Sequence, residues 1–203
     1  MDSSLIKYIF LFFLLVTTIF ADEEYTLRLG AGVAKDSSYG EILMGRSQEY
    51  KGNPRVYAID GGYLLKKNIF ELPLDLYVYG GLAYFDEGSL GKDVYEATLY
   101  LKLYYNFFDE YFRFGFGEGG SYTSGILFSE YESARDRGDN TSHYLNYLDT
   151  TIDFNLGKVI KNKFFNKMYV GFLIKHRSGI FGLVNNVKKG GSNYNCFYIE
   201  KKF

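Results

Sequence analysis

The stretch MYVGFLIKHRS, residues 168–178, shows the alternation that decides the fold of this chain. Successive side chains of a β-strand point to opposite faces, so residues two apart share a face. One face of this predicted strand is apolar until it ends in a His and a Ser, in the order Met168, Val170, Phe172, Ile174, His176 and Ser178. An apolar face with this ending indicates contact with lipid, and it predicts that the substrate is itself a lipid.

Seven further segments alternate in the same way and bring the number of predicted strands to eight. They lie near residues 26–33, 55–65, 72–84, 96–103, 112–117, 151–156 and 193–203. An even number of strands of about ten residues is typical of outer-membrane barrels. We therefore predict an all-β fold, an eight-stranded antiparallel transmembrane β-barrel of the bacterial outer membrane. A soluble lipocalin-like barrel is the alternative, because alternation alone does not show which face lies inside.

Loop lengths support the membrane barrel. Long polar connections and short ones alternate along the chain, the long ones near residues 35–54, 123–143 and 177–192, with a shorter one near 85–93 on the same side. Outer-membrane barrels have long extracellular loops and short periplasmic turns. This pattern places both termini at the periplasmic end and places His176 and Ser178 at the level of the outer leaflet.

Both ends of the chain carry targeting features. Lys7 precedes an apolar run at residues 8–20, and Ala21 is a suitable residue before a cleavage point, so residues 1–21 are predicted to be a signal peptide and residues 22–203 the barrel. The terminal Phe203 resembles the carboxy-terminal signature that outer-membrane barrels present to the barrel assembly machinery.

Composition narrows the class of protein. The chain has 21 Tyr, 19 Phe and 23 Gly but only 2 Pro, which fits a barrel with aromatic girdles. A net charge of −1 gives no reason to expect a nucleic-acid partner. The lone Cys196 excludes an intramolecular disulfide, and one Cys with two His residues is too few for a four-ligand His/Cys metal site, so we expect no cofactor and no metal.

The last two predicted strands carry residues suited to ester hydrolysis. His176 and Ser178 lie roughly 6–7 Å apart on one face, so the imidazole can act as general base for the Ser hydroxyl. Counting back from Phe203 in steps of two places Asn193 on the outward face of the neighbouring strand. An Asn oxygen can orient a catalytic His.

The residues KHRSGIFGLVNN (175–186), followed by GGSNYNCFYIEKKF (190–203), resemble the outer-membrane lipid A 3-O-deacylases. The resemblance implies a carboxylic ester hydrolase that modifies lipopolysaccharide by removing the ester-linked acyl chain at position 3 of lipid A. It implies His176 as base and Ser178 as nucleophile. The family's third residue is a Glu, where a gapless comparison puts Ser192 here, with Asn193 adjacent. The family's Asn after the nucleophile is replaced by Gly179, whose backbone N–H, or that of Ile180, is a candidate oxyanion donor.

Other readings of these residues stay open. Lys188 and Lys189 are candidates for contact with lipid A phosphates, or are ordinary solvated loop charges. Glu118 is predicted to face outwards on the fifth strand, away from the strand of His176. The second interpretation of the whole chain is a non-enzymatic adhesin or structural barrel that binds a partner through its outer loops. An acyltransferase or phospholipase that uses the same His and Ser is a third reading.

Overall fold

The computed structural model describes residues 24–188 and 191–203, and its strands close into one barrel. The predicted signal peptide, residues 1–21, and Lys189 lie outside the described residues. Every strand pairs antiparallel with its neighbours in sequence, and the last pairs with the first. The strands are β1 (Tyr25–Lys35), β2 (Arg55–Lys66), β3 (Leu74–Asp86), β4 (Val94–Phe107), β5 (Phe112–Thr123), β6 (Tyr144–Asn155), β7 (Met168–Ser178) and β8 (Gly191–Lys202). The predicted eight-stranded antiparallel barrel is confirmed.

The two faces of the barrel wall differ in polarity. Inside, Arg28 pairs with Asp149 at 2.6 Å, and Arg113 pairs with Asp153 and Glu200, each at 2.8 Å. Tyr side chains fill the lumen around these ion pairs. Outside, the large apolar side chains are exposed, including Leu82 at 64%, Leu99 at 66% and Phe197 at 75%. A soluble barrel would have the opposite arrangement, so the lipocalin-like alternative is wrong.

In the described part of the chain, three short α-helices lie in the connections between strands: α1 (Tyr39–Leu43), α2 (Phe128–Arg137) and α3 (Leu156–Ile160). The α1 helix begins after Ser38, whose side chain forms a capping box with Glu41. Leu156, predicted to lie in the sixth strand, instead begins α3 because the Asn155 side chain caps that helix. Among the described residues, no helix has the length and apolar character needed to cross a membrane.

The connection between β1 and β2, residues 36–54, folds over the outer face of the wall. We call it the first loop. The Asn195 side-chain amide on β8 donates to the Ser47 hydroxyl at 2.9 Å. Ile174, the outward residue of β7 paired with Asn195, is only 5% exposed. At the end with the longer loops, the outer surface of β7 and β8 is therefore covered by the chain itself rather than left to lipid.

Candidate functional site

His176 and Ser178 lie on the outward face at the end of β7. The alternate residues, Arg177 on β7 and Ser192 on β8, are buried in the lumen, where both contact Glu130. His176 pairs directly with Asn193 across the strands, and its Nδ1 lies 2.7 Å from the Asn193 Oδ1. The structure thus brings the predicted base and the predicted Asn into contact.

The first loop fixes the orientation of the Asn193 amide. Asn193 Nδ2 donates to the backbone oxygen of Ser37 at 3.0 Å, so Oδ1 is the atom turned towards His176. An amide oxygen only accepts hydrogen bonds, so Nδ1 carries the proton and donates a hydrogen bond to Oδ1. The Nε2 atom of a neutral imidazole held in this way is left as the proton acceptor, which is the form a general base needs.

Tyr39, the first residue of α1, covers the imidazole. Its ring centroid lies 4.8 Å from that of His176 with 30° between the ring planes. Its hydroxyl is 2.6 Å from Thr150 Oγ1, on the outward face of β6. Sequence reasoning missed this residue, although the capping box that begins at Ser38 signals an ordered helix in the first loop. Tyr39 restricts the side from which a substrate can approach the imidazole.

The Ser178 hydroxyl opens to a cavity of about 830 Å³. Among the described residues it forms no hydrogen bond, to His176 or to any other side chain. The outward residues Phe116 and Leu148 line the cavity along the wall, and residues of α2 and the first loop line its other sides. The cavity therefore joins an apolar part of the outer wall to a polar surface.

The other predicted site residues take different positions. The Ser192 hydroxyl donates to Glu130 Oε1 at 2.8 Å inside the barrel, so of the two predicted partners only Asn193 presents its side chain to the imidazole. Gly179 is buried directly after Ser178, and a Cβ there would overlap the backbone oxygen of Val187, so only Gly fits. Lys188 lines the cavity, and its backbone N–H donates to Asp139 at 2.9 Å.

Two carboxylates of α2 attach this helix to the rest of the site. Burial raises the pKa of Glu130, although Arg177 donates to it at 2.8 Å. Glu132 accepts hydrogen bonds from Lys51 and from Tyr50 in the first loop, and these bonds lower its pKa. The α2 helix therefore contacts residues of the lumen through Glu130 and holds the first loop through Glu132. Within residues 24–188 and 191–203, no three His, Cys, Asp or Glu side chains are grouped to hold a metal ion.

Comparison with known proteins gives the class of the fold. No protein-family model matches the sequence, and no curated protein matches it. The chain is similar to the outer membrane enzyme PagL, with a TM-score of 0.56 and 12% sequence identity over 88% of this chain and 99% of that one. It is also similar to Neisserial surface protein A, with a TM-score of 0.49 and 15% identity over 90% and 98% of the two chains.

The closed barrel, its polar lumen and its apolar outer surface define a small β-barrel of the bacterial outer membrane. Its particular features within that class are the contact between His176 and Asn193 and a first loop folded over the wall beside them.

Proposed function

We propose that this barrel is an esterase that hydrolyses an ester-linked acyl chain of lipid A in the outer leaflet. Ser178 is the nucleophile, His176 the general base and Asn193 the residue that orients the imidazole. The observation that carries the proposal is the 2.7 Å contact between His176 Nδ1 and Asn193 Oδ1, beside a Ser hydroxyl that opens to a cavity on the outer wall. The similarity of the fold to that of the outer membrane enzyme PagL supports the proposal of an enzyme in the outer membrane.

The proposed reaction has two steps. His176 Nε2 takes the Ser178 proton as Oγ attacks the ester carbonyl, and the backbone N–H of Gly179 or Ile180 stabilises the oxyanion. The imidazolium then donates its proton to the departing sugar oxygen, which leaves an acyl-enzyme. Water, activated by the same imidazole, releases the fatty acid and restores the Ser hydroxyl. No cofactor takes part in these steps.

The neutral Asn193 stabilises the imidazolium less than a carboxylate would. A Cys-His-Asn arrangement shows that an amide can nevertheless orient a catalytic His. We therefore expect this enzyme to depend more on the orientation of its imidazole, which Ser37 and Asn193 fix, than on a negative charge beside it. Lys188 and Lys189 are the proposed contacts for lipid A phosphates.

Mass spectrometry of lipid A tests the proposal. Lipid A is extracted from cells that express the wild type, Ser178→Ala, His176→Ala or the control Ser89→Ala, which changes an exposed Ser in another loop. We expect the wild type and Ser89→Ala to remove one hydroxyacyl chain and the two site variants to remove none. Closure of each barrel is checked by its heat-dependent migration on gels. Unchanged lipid A in cells with a closed wild-type barrel contradicts the proposal.

A binding barrel is the second candidate. Two observations favour it: Tyr39 covers one face of the imidazole, and Ser178 forms no hydrogen bond with His176. A protein of this kind would use its long loops, including α2, to hold a partner. Two results together would favour this candidate: lipid A stays intact in cells with the wild type, and cells with Ser178→Ala bind a surface or ligand as well as cells with the wild type do.

A further inference from the structure

Glu118 lies on the outward face of β5 in the same row of paired residues as His176. Glu118 pairs with Leu148 on β6, and Leu148 pairs with His176 on β7. All three line the cavity of about 830 Å³ that also receives Ser178. Glu118 was expected to be remote from the site because β5 is two strands from β7, but the cavity spans that distance.

The surroundings of Glu118 make its charge unusual. Its neighbours on the same face of β5 are Phe114 and Phe116, 44% and 40% exposed, which belong to the apolar belt of the barrel. Among the described residues, the exposed Glu118 carboxylate has no ion-pair or hydrogen-bond partner. A charge on the lipid-facing side of a barrel is unfavourable. A ligand that brings hydrogen-bond donors would stabilise a carboxylate at this place.

The spacing limits the size of that ligand. Neighbouring strands lie about 4.8 Å apart, so two strand spacings, or about 10 Å, separate the backbone at His176 from the backbone at Glu118. Both side chains line the cavity. A single pyranose ring with its first substituent atoms spans such a gap. An ester held at Ser178 therefore places the neighbouring groups of the same sugar near Glu118.

The chemistry of a carboxylate selects among lipids. An ionised carboxylate only accepts hydrogen bonds. An acylated amino sugar carries amide N–H and hydroxyl donors beside its esters. The glycerol backbone of a diacyl phospholipid carries no hydrogen-bond donor beside its esters.

We propose that Glu118 accepts hydrogen bonds from the amide or hydroxyl donors of an acylated amino sugar, and so selects such glycolipids over glycerophospholipids at the Ser178 site. This specificity role rests on the proposed esterase function. It makes Glu118 a substrate-binding residue of β5 that acts beside the residues of β7 and β8.

Kinetics with two substrates test the selection. Hydrolysis of lipid A and of phosphatidylcholine is compared for the wild type, Glu118→Ala, Glu118→Asp and the control Glu71→Ala, which removes an exposed carboxylate at the opposite end of the barrel. A lost hydrogen bond to a charged group lowers kcat/KM by about 10- to 150-fold. We expect Glu118→Ala to lose that much on lipid A and nothing on phosphatidylcholine, with Glu118→Asp intermediate and Glu71→Ala unchanged. Equal losses on both lipids would overturn the proposal.

A binding measurement separates this proposal from the esterase function. In a Ser178→Ala background, the affinity of the folded barrel for lipid A in detergent micelles is measured with and without Glu118→Ala. We expect the second substitution to weaken binding at least tenfold, because it removes a charged acceptor. Equal affinity overturns the role of Glu118. A wild type that hydrolyses neither lipid refutes the esterase, while the binding result still decides the role of Glu118.

Discussion

Asn193→Ala tests the link between the first loop and the imidazole. The substitution removes the 2.7 Å contact with His176 Nδ1 and the 3.0 Å hydrogen bond to the Ser37 oxygen. A hydrogen bond to a charged group is worth about 1.5–3 kcal/mol, and this one is made to an imidazolium when Ser178 attacks. Each 1.36 kcal/mol is tenfold in rate, so we expect Asn193→Ala to slow acylation of Ser178 by about 10- to 150-fold.

A fluorophosphonate probe provides the assay, because it labels an activated Ser without knowledge of the substrate. Its labelling rate is measured on folded wild type, Asn193→Ala, Asn193→Asp and Asn195→Ala. Asn195→Ala is the matched control, since it removes the 2.9 Å bond to Ser47 and loosens the same loop without touching His176. We expect Asn193→Asp, which keeps an acceptor, to label faster than Asn193→Ala.

Two results would refute this reasoning. Labelling of Asn193→Ala at the wild-type rate would show that the amide does not orient the imidazole. Equal slowing by Asn195→Ala would show that general loosening of the first loop, and not the contact with His176, accounts for the effect.

Three further perturbations test other parts of the molecule. Arg113→Met leaves two buried carboxylates without their guanidinium, and we expect it to lower the free energy of unfolding by about 3–5 kcal/mol in urea titrations in micelles; an unchanged midpoint would contradict this. Gly179→Ala places a methyl group against the backbone oxygen of Val187, so we expect probe labelling to be lost from a barrel that still closes, and retained labelling would argue against this close packing. Hydrogen bonds from Lys51 and Tyr50 lower the pKa of Glu132 below its value in the unfolded chain, which is about 4.3. These bonds therefore stabilise the folded loop fully above about pH 4.3, and the stabilisation is lost as the pH falls through the lowered pKa. Protection of the first-loop amides from hydrogen exchange, taken relative to their intrinsic exchange rates at each pH, should fall in acid for the wild type and be low at every pH for Glu132→Gln. Protection that does not change with pH in the wild type would count against this contact.

The wall of the barrel could be predicted because strand alternation is a local property of the sequence. Each strand reports its own two faces, and the loops report which end is which. Outward Leu99 and Phe197 and inward Arg177 follow from period two once the barrel is assigned to a membrane. Leu156 is the exception at a boundary, because the cap that Asn155 provides overrides a period that still alternates.

The site could be predicted only in part. Ser178, His176 and Asn193 lie on paired strands, so counting along those strands finds them. Tyr39 could not be found in this way, because its contact with the imidazole depends on how a loop packs over a distant part of the wall. Glu118 was correctly assigned to the outward face, but sequence gives no cavity and hence no means of joining β5 to β7.

The proposed site spans the seam at which the first and last strands meet. The backbone oxygen that holds Asn193 follows β1 in the chain, whereas Asn193 itself belongs to β8. The imidazole is therefore oriented only after the cylinder has closed. Under the proposed function, an unfinished barrel on its way through the periplasm would carry the proposed nucleophile and base but not their alignment, which would couple the proposed activity to closure of the barrel in the membrane.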